Sequence, residues 1–74
     1  MTLVIADTKA QADYWINQLK LDNARFLSRS ENILGLSRGV KIVAVGTYKE
    51  KVTMELVHDL RSYGYSVVYD PRTA

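Results

Sequence analysis

Twice in this chain, a short run of apolar and β-branched residues leads into a threonine that stands three positions before a glutamine or a glutamate. The runs are Thr2 to Ala6 and Val40 to Gly46, and the threonine pairs are Thr8 with Gln11 and Thr47 with Glu50. Such a run is typical of a buried parallel strand, and the threonine spacing is typical of a capping box at a helix start. Two strand-to-helix units within 74 residues constrain the chain to an α/β fold.

The spacing of apolar residues predicts the length of each helix. After Thr8, a stripe at i, i+3, i+4 and i+7 predicts α1, which we expect to stop at Asp22 and Asn23, with Asn23 in a left-handed conformation. The stripe consists of Ala12, Trp15, Ile16 and Leu19. After Thr47, a second apolar face predicts α2, with Gly64 as the residue that ends it. That face consists of Val52, Leu56, Leu60 and Tyr63.

Two further strands complete the predicted sheet. They are β2 at residues 24–28 and β4 at residues 65–69, in addition to β1 at 2–6 and β3 at 40–46. A helical turn capped by Ser30 and closed by Gly35 is predicted between β2 and β3, and Pro71 ends β4, leaving a frayed tail. Strands that alternate with helices predict one parallel sheet in the order 2-1-3-4, with right-handed crossovers and the helices on opposite faces. The sequence thus predicts a single Rossmann-like half-fold over residues 1–74.

Composition limits the chemistry that the chain can perform. There is no cysteine and one histidine, His58, which excludes disulfides, thiolate metal sites and histidine-rich metal sites. No glycine-rich phosphate motif and no paired nucleophile and base are present, so we expect no cofactor, no metal and no enzymatic activity. No apolar run reaches the length of a membrane span and no signal peptide precedes the domain, so we expect a cytoplasmic protein that does not bind membranes.

A candidate ligand site follows from the predicted topology. In open α/β sheets, ligands bind beyond the carboxyl ends of the strands, where the strand order reverses. Polar residues that follow β1, β2 and β3 meet there and would form an anion-binding corner: Asp7, Thr8, Lys9, Ser28, Arg29, Gly46, Thr47 and Lys49. The alternative interpretation is structural, because the threonines also serve as helix caps, Asp7 as a favourable charge at a helix start, and the lysines as solvated residues.

The tyrosines favour association with another protein. A core this small does not accommodate all of them, and the predicted sheet leaves unpaired edges at β2 and β4. The candidate interaction surface consists of Tyr14, Tyr48, Tyr65 and Tyr69. The leading functional hypothesis is therefore a small accessory protein without enzymatic activity, which binds a protein partner or forms a homo-oligomer such as a dimer.

Two alternatives belong to other classes of function. The first is a nucleic-acid-binding protein that uses scattered basic residues, although a net charge of +2 provides no basic tract. Those residues are Lys9, Arg29, Arg38, Lys41 and Lys49. The second alternative is a protein that binds a nucleotide or another phosphate ligand at the point where the strand order reverses.

Three segments carry a resemblance to a known group of proteins. They are VIADTKAQADYW at 4–15, RFLSRSENILGL at 25–36 and KIVAVGT at 41–47. Together they resemble the small Rossmann-like or P-loop-lacking NTPase-like proteins that phages of actinobacteria encode. The resemblance covers the chain to about residue 47. It implies a phage accessory protein of the Rossmann-like class, acting in the cytoplasm of the host cell, and it transfers no functional residue.

Overall fold

A computed structural model describes residues 2–27, 39–46 and 48–73 of the chain. They form one parallel sheet with two helices and a short C-terminal 3₁₀ turn. The elements are β1 (Thr2–Ile5), α1 (Lys9–Gln18), β2 (Ala24–Phe26), β3 (Lys41–Ala44), α2 (Lys51–Ser62), β4 (Val67–Tyr69) and the turn at Pro71–Thr73. The strand order is β2-β1-β3-β4 and every neighbouring pair is parallel, which confirms the predicted fold class and order. The helical turn predicted at Ser30 to Gly35 lies outside the described residues.

The two helices cover opposite faces of the sheet, as predicted. Successive side chains of a strand point to opposite faces, so adjacent residues of β1 belong to different cores. Leu3 and Ile5 lie in a buried cluster with residues of α2, whereas Val4 lies in a cluster with Ala12 of α1. Leu60 is the residue of α2 most deeply buried in the first cluster, with no exposed surface. Each face of the sheet therefore has its own small core.

Helix α1 begins at its predicted cap but ends early. Thr8 has extended backbone angles, and its hydroxyl accepts a hydrogen bond from the Gln11 N–H at 3.1 Å. The Gln11 side chain lies against Gly46 of the neighbouring strand end. The predicted stop at Asp22 is wrong, because Lys20 already adopts the left-handed conformation with φ of 53°. Asn23 is left-handed as predicted, with φ of 51°, but it leads into β2 and does not end the helix.

Both helices end in the same hydrogen-bond pattern. After α1, the Lys20 N–H donates to the Asn17 carbonyl at 3.2 Å and the Leu21 N–H donates to the Ile16 carbonyl at 3.0 Å. After α2, Gly64 and Tyr65 donate in the same way to Arg61 and Leu60, at 3.1 and 3.0 Å. Each pair of bonds is a Schellman motif, which needs a left-handed residue just beyond the helix. Gly64, with φ of 92°, is that residue in α2 and confirms the prediction; Lys20 has the same position in α1.

Helix α2 differs from its prediction at its start and in its buried face. The helix begins at Lys51 with Glu50 as its N-cap residue, so the capping box expected at Thr47 is wrong; Thr47 itself lies outside the described residues. Val52 and Tyr63 are 70% and 55% exposed, contrary to the predicted face. Helix α2 buries four residues at the spacing i, i+3, i+4 and i+7: Thr53, Leu56, Val57 and Leu60. The first of them, Thr53, is polar. The hydrogen-bond partner of Thr53 is the half-buried Asp7, which is described below.

Arg72 and Thr73 belong to a 3₁₀ turn, contrary to the expectation of a frayed tail; Ala74 lies outside the described residues. Strand β4 begins at Val67, two residues later than predicted, and Pro71 follows its end as expected. Thr73 is only 3% exposed, and its hydroxyl accepts a hydrogen bond from the Gly46 N–H at 2.7 Å. The residues after β4 thus fold back onto the carboxyl end of β3.

Neither helix of the described chain has the length and the apolar run needed to cross a membrane.

Candidate functional site

The Asp7 carboxylate links the end of β1 to the start of α2. It accepts hydrogen bonds from the Lys49 N–H at 2.8 Å, the Glu50 N–H at 3.3 Å and the Thr53 hydroxyl at 2.7 Å. The N–H groups at a helix start lack partners within the helix and carry partial positive charge. Glu50 makes no capping bond with its own side chain, so Asp7 supplies the cap from 43 positions away. This role differs from the sequence interpretation, in which the charge of Asp7 stands at the start of α1.

Hydrogen bonding keeps the Asp7 carboxyl group ionised. Partial desolvation raises the pKa of Asp7, but the bonds from Lys49, Thr53 and Glu50, together with the charge of Lys49, outweigh it and lower the pKa below its usual 3.8. A carboxyl group with a lowered pKa is deprotonated at neutral pH, which suits a fixed anion and does not suit a proton donor. The chain therefore carries its own anion at the corner where the sequence predicts an external one.

Three of the predicted ligand residues line a cleft beside this network, which we call the Asp7 cleft. The cleft has a volume of about 440 Å³. Its lining consists of Ala6, Asp7, Thr8, Lys9, Phe26, Leu27, Glu50, Val52, Thr53 and Leu56. Lys9 is exposed and pairs with Asp13 one helical turn away, with Nζ and Oδ2 2.8 Å apart. An exposed i, i+4 pair contributes only about 0.3–0.5 kcal/mol, so the pair does not hold Lys9 firmly.

Gly46 is enclosed by parts of the chain that are distant in sequence. Its φ is +72°, and a Cβ at this position would lie 2.5 Å from Nε2 of Gln11 and 3.5 Å from Nε1 of Trp15. Its N–H donates to Thr73, whose hydroxyl in turn donates to the Asp70 carbonyl at 2.8 Å. The Gly46 N–H, which the sequence places in a candidate ligand site, is therefore bonded within the chain.

The acidic group at the end of β4 also has an internal partner. Arg72 binds Asp70 with two nitrogens, Nε at 3.0 Å and Nη2 at 2.7 Å from the carboxylate oxygens. The side-chain hydrogen bond from Arg72 lowers the pKa of Asp70, and it outweighs the desolvation that raises it; the Arg72 N–H and the charges of Arg72 and Lys41 act in the same direction. This ion pair stabilises the turn that carries Thr73.

A second cleft brings together residues that the sequence assigns to two different sites. Gly46 and Lys49, from the predicted ligand site, line it with Tyr48 and Tyr69, from the predicted interaction surface. We call this the tyrosine cleft; it has a volume of about 470 Å³, is open to solvent and has a mostly apolar lining. The two tyrosine rings meet edge to face, with centroids 6.1 Å apart and planes at 67°. Both rings also pack against the core cluster beneath α2.

The remaining predicted residues do not join either cleft. Tyr14 lies on α1, 55% exposed and edge to face with Trp15 at 5.0 Å, while Tyr65 packs against the α2 core. Lys41 begins β3, at the opposite end of that strand from Gly46. The other predicted site residues lie outside the described residues: Ser28, Arg29, Thr47 and Arg38.

Sequence reasoning missed Thr53 and Thr73, which hold the two networks together. Thr53 had a detectable signal, because it is the polar member of the i, i+3, i+4 and i+7 set with Leu56, Val57 and Leu60. Thr73 carries no comparable signal, since its partner Gly46 is 27 positions away. Within the described part of the chain, no group of three metal-ligating side chains is present.

The chain has no match among known proteins from which a function could be transferred. No protein-family model, no curated protein and no solved structure matches the chain.

Proposed function

We propose that this chain is a small binding protein, and that it recognises a segment of another protein with the tyrosine cleft. The observation that carries the proposal is the edge-to-face pair of Tyr48 and Tyr69 beside the exposed Lys49. Aromatic side chains are enriched at protein interfaces, and tyrosine is among the residues that contribute most to binding energy there.

The tyrosine cleft is suited to an apolar side chain of a partner. Tyr48 and Tyr69 are half-buried, so one side of each ring is held by the core while the other side lines the cleft. Rings that are already fixed lose little conformational freedom on binding, which favours affinity. The cleft is shallow and open, a shape that fits an anchor presented by a protein surface.

The rim of the tyrosine cleft favours a neighbouring acidic residue on the partner. Lys49 is exposed there, and its side chain reaches solvent while its backbone N–H is bonded to Asp7. A carboxylate next to the apolar anchor would pair with the lysine and increase the association rate. The partner segment thus combines an aliphatic or aromatic anchor with an adjacent aspartate or glutamate.

A phosphate ligand is the less favoured candidate. The N–H groups of Lys49 and Glu50, just before α2, are both bonded to the ionised Asp7. A phosphate at the start of α2 would lie close to this carboxylate, and two charges of the same sign repel each other. Binding through Tyr48 and Tyr69 does not place a ligand at these N–H groups.

Selection of peptides from a displayed random library tests the proposal without a known partner. We expect enriched peptides to carry an apolar anchor next to an acidic residue, and to bind Tyr69→Ala at least about tenfold more weakly than the unmodified protein, which corresponds to about 1.4 kcal/mol. Lys49→Glu should weaken binding of the same peptides. Tyr14→Ala is the matched control, because Tyr14 is exposed on α1 and away from the cleft, and it should bind as the unmodified protein does.

Thermal unfolding separates loss of binding from loss of the fold. Tyr69→Phe keeps the ring contact with Tyr48 and should retain peptide binding and stability. The proposal is wrong if no peptide is enriched, or if the enriched peptides bind Tyr69→Ala and Tyr14→Ala equally well.

A further inference from the structure

Strand β4 is the last strand in the sheet order, so among the described residues its outer side has no partner strand. The Asp70 N–H donates to the Ala44 carbonyl of β3 at 3.0 Å, so the backbone groups of Asp70 point inward. Because these directions alternate along a strand, Val68 also points its N–H and carbonyl towards β3, whereas Val67 and Tyr69 point theirs outward. An edge of this kind is a template for pairing with another strand.

One of these outward groups is already bonded. Arg61, in the last turn of α2, donates from Nη2 to the Val67 carbonyl at 3.1 Å. The guanidinium group therefore lies across the edge of β4, where an incoming strand would place its N–H. Charged side chains at the edge of a sheet are a recurring means of preventing strand pairing.

The strand that best fits this edge is β4 of a second copy. In an antiparallel pair centred on Val68, Val67 of each copy faces Tyr69 of the other, and both exchange backbone hydrogen bonds. The two Val68 side chains then form a close pair; Val68 is 60% exposed in the single chain. The two Arg61 side chains oppose this arrangement in two ways. Each occupies the Val67 carbonyl of its own copy, and together they bring two positive charges close to each other.

We propose that Arg61 keeps the edge of β4 from pairing with a second copy of this chain. The inference concerns a surface separate from the tyrosine cleft and does not depend on the proposed function. It opposes self-association through β4, one of the two sheet edges from which the sequence predicts association, and it names the residue responsible.

Cysteine cross-linking tests the proposal, because the chain has no cysteine of its own. Val68→Cys places a thiol at the centre of the outer edge of β4, where the Cα atoms of a non-hydrogen-bonded pair lie about 4.5 Å apart, within the range that a disulfide spans. In a glutathione buffer, we expect the Val68→Cys, Arg61→Ala double variant to form disulfide dimers at least about tenfold faster than Val68→Cys alone. Arg25→Ala, which removes an exposed arginine from the other edge strand, is the matched control and should not accelerate cross-linking.

Sedimentation velocity of Arg61→Ala without the cysteine should show a concentration-dependent dimer that the unmodified protein lacks. Circular dichroism checks the fold, and Arg61→Met, which keeps the aliphatic chain but has no donor and no charge, replaces Arg61→Ala under the same criteria if the alanine variant unfolds. Equal cross-linking rates with and without Arg61 would overturn the proposal, as would a faster rate in the Arg25→Ala background.

Discussion

The Asp7 carboxylate and the Thr53 hydroxyl are 2.7 Å apart although 46 positions separate them in the chain. The bond ties the loop after β1 to the first turn of α2. Thr53 is only 4% exposed, so its hydroxyl needs a partner, and Asp7 provides it. The pair holds the first turn of α2 against this loop, on the side of the helix that also buries Leu56, Val57 and Leu60.

Asp7→Ala should lower the free energy of unfolding by about 1–3 kcal/mol, because it removes hydrogen bonds to a charged acceptor and leaves the start of α2 without a cap. Urea denaturation measures the effect. Thr53→Val should also destabilise, and the two changes together should cost less than their sum, with a coupling of at least about 0.5 kcal/mol.

Asp13→Ala provides the matched control for Asp7→Ala. Asp13 is an exposed aspartate whose ion pair with Lys9 lies on the surface of α1, so its loss should cost only about 0.3–0.5 kcal/mol. Equal effects of Asp7→Ala and Asp13→Ala would contradict the capping role.

Stability should decline in acid through Asp7. Its pKa is lowered in the folded chain and returns towards 3.8 on unfolding, so the unfolded chain binds more protons between these two values. The contribution is complete above the unfolded pKa and is lost as the pH falls through the lowered folded pKa. Asp70, whose pKa is lowered by Arg72, acts in the same direction.

Asp7→Asn should therefore reduce stability at neutral pH and reduce it progressively less as the pH falls below about 4. Urea denaturation from about pH 6 to about pH 2 measures this convergence. A difference between Asp7→Asn and the unmodified protein that stays constant over this range would show that Asp7 is not the titrating group.

The contact between Gly46 and Thr73 should stabilise the whole domain. Thr73→Val removes the acceptor of a buried N–H and should cost about 1–3 kcal/mol. If Thr73→Val unfolds at the same temperature as the unmodified protein, the C-terminal residues do not contribute to stability.

Gly46→Ala should destabilise for two reasons: its positive φ disfavours a side chain, and the new Cβ meets Gln11. Adding Gln11→Ala should restore only the part of the loss that comes from this contact.

The helix ends offer a matched pair of substitutions. Lys20 and Gly64 have the same position in two Schellman motifs, and both are left-handed. Lys20→Gly should stabilise by about 0.5–1 kcal/mol, because glycine adopts this conformation without strain, whereas Gly64→Ala should destabilise by about 1 kcal/mol. Differential scanning calorimetry measures both. A destabilising Lys20→Gly would mean that the lysine side chain makes a contact worth more than the relief of strain.

The sequence predicts the sheet well because its signals are local. Apolar β-branched runs mark β1 and β3, and alternation with helices determines the parallel order. Thr8 is also found as a cap from sequence, since its partner Gln11 is three positions away. The strands and the cap depend on residues within one strand or one turn, and the order follows from how these elements alternate along the chain.

The networks at the carboxyl edge could not be predicted in the same way. The cap of α2 comes from Asp7 rather than from Thr47, and no spacing rule connects a loop to a helix more than 40 positions away. The sequence predicts Thr73 in a frayed tail, because terminal residues fray unless a tertiary contact holds them. In the structure that contact is with Gly46. The tyrosine cleft likewise combines residues from two distant strand ends.

Site-specific photo-cross-linking tests the central claim, that the tyrosine cleft binds another protein. A benzophenone amino acid is placed at Lys49, on the rim of the cleft, or at Tyr14, on α1, and each variant is irradiated in a lysate of cells that naturally contain the protein. We predict a discrete protein adduct from position 49 and no such adduct from position 14. Adding the unmodified protein as a competitor should suppress the adduct from position 49, whereas adding Tyr69→Ala should not. An adduct from position 14 alone, or equal competition by the unmodified protein and Tyr69→Ala, would contradict the claim.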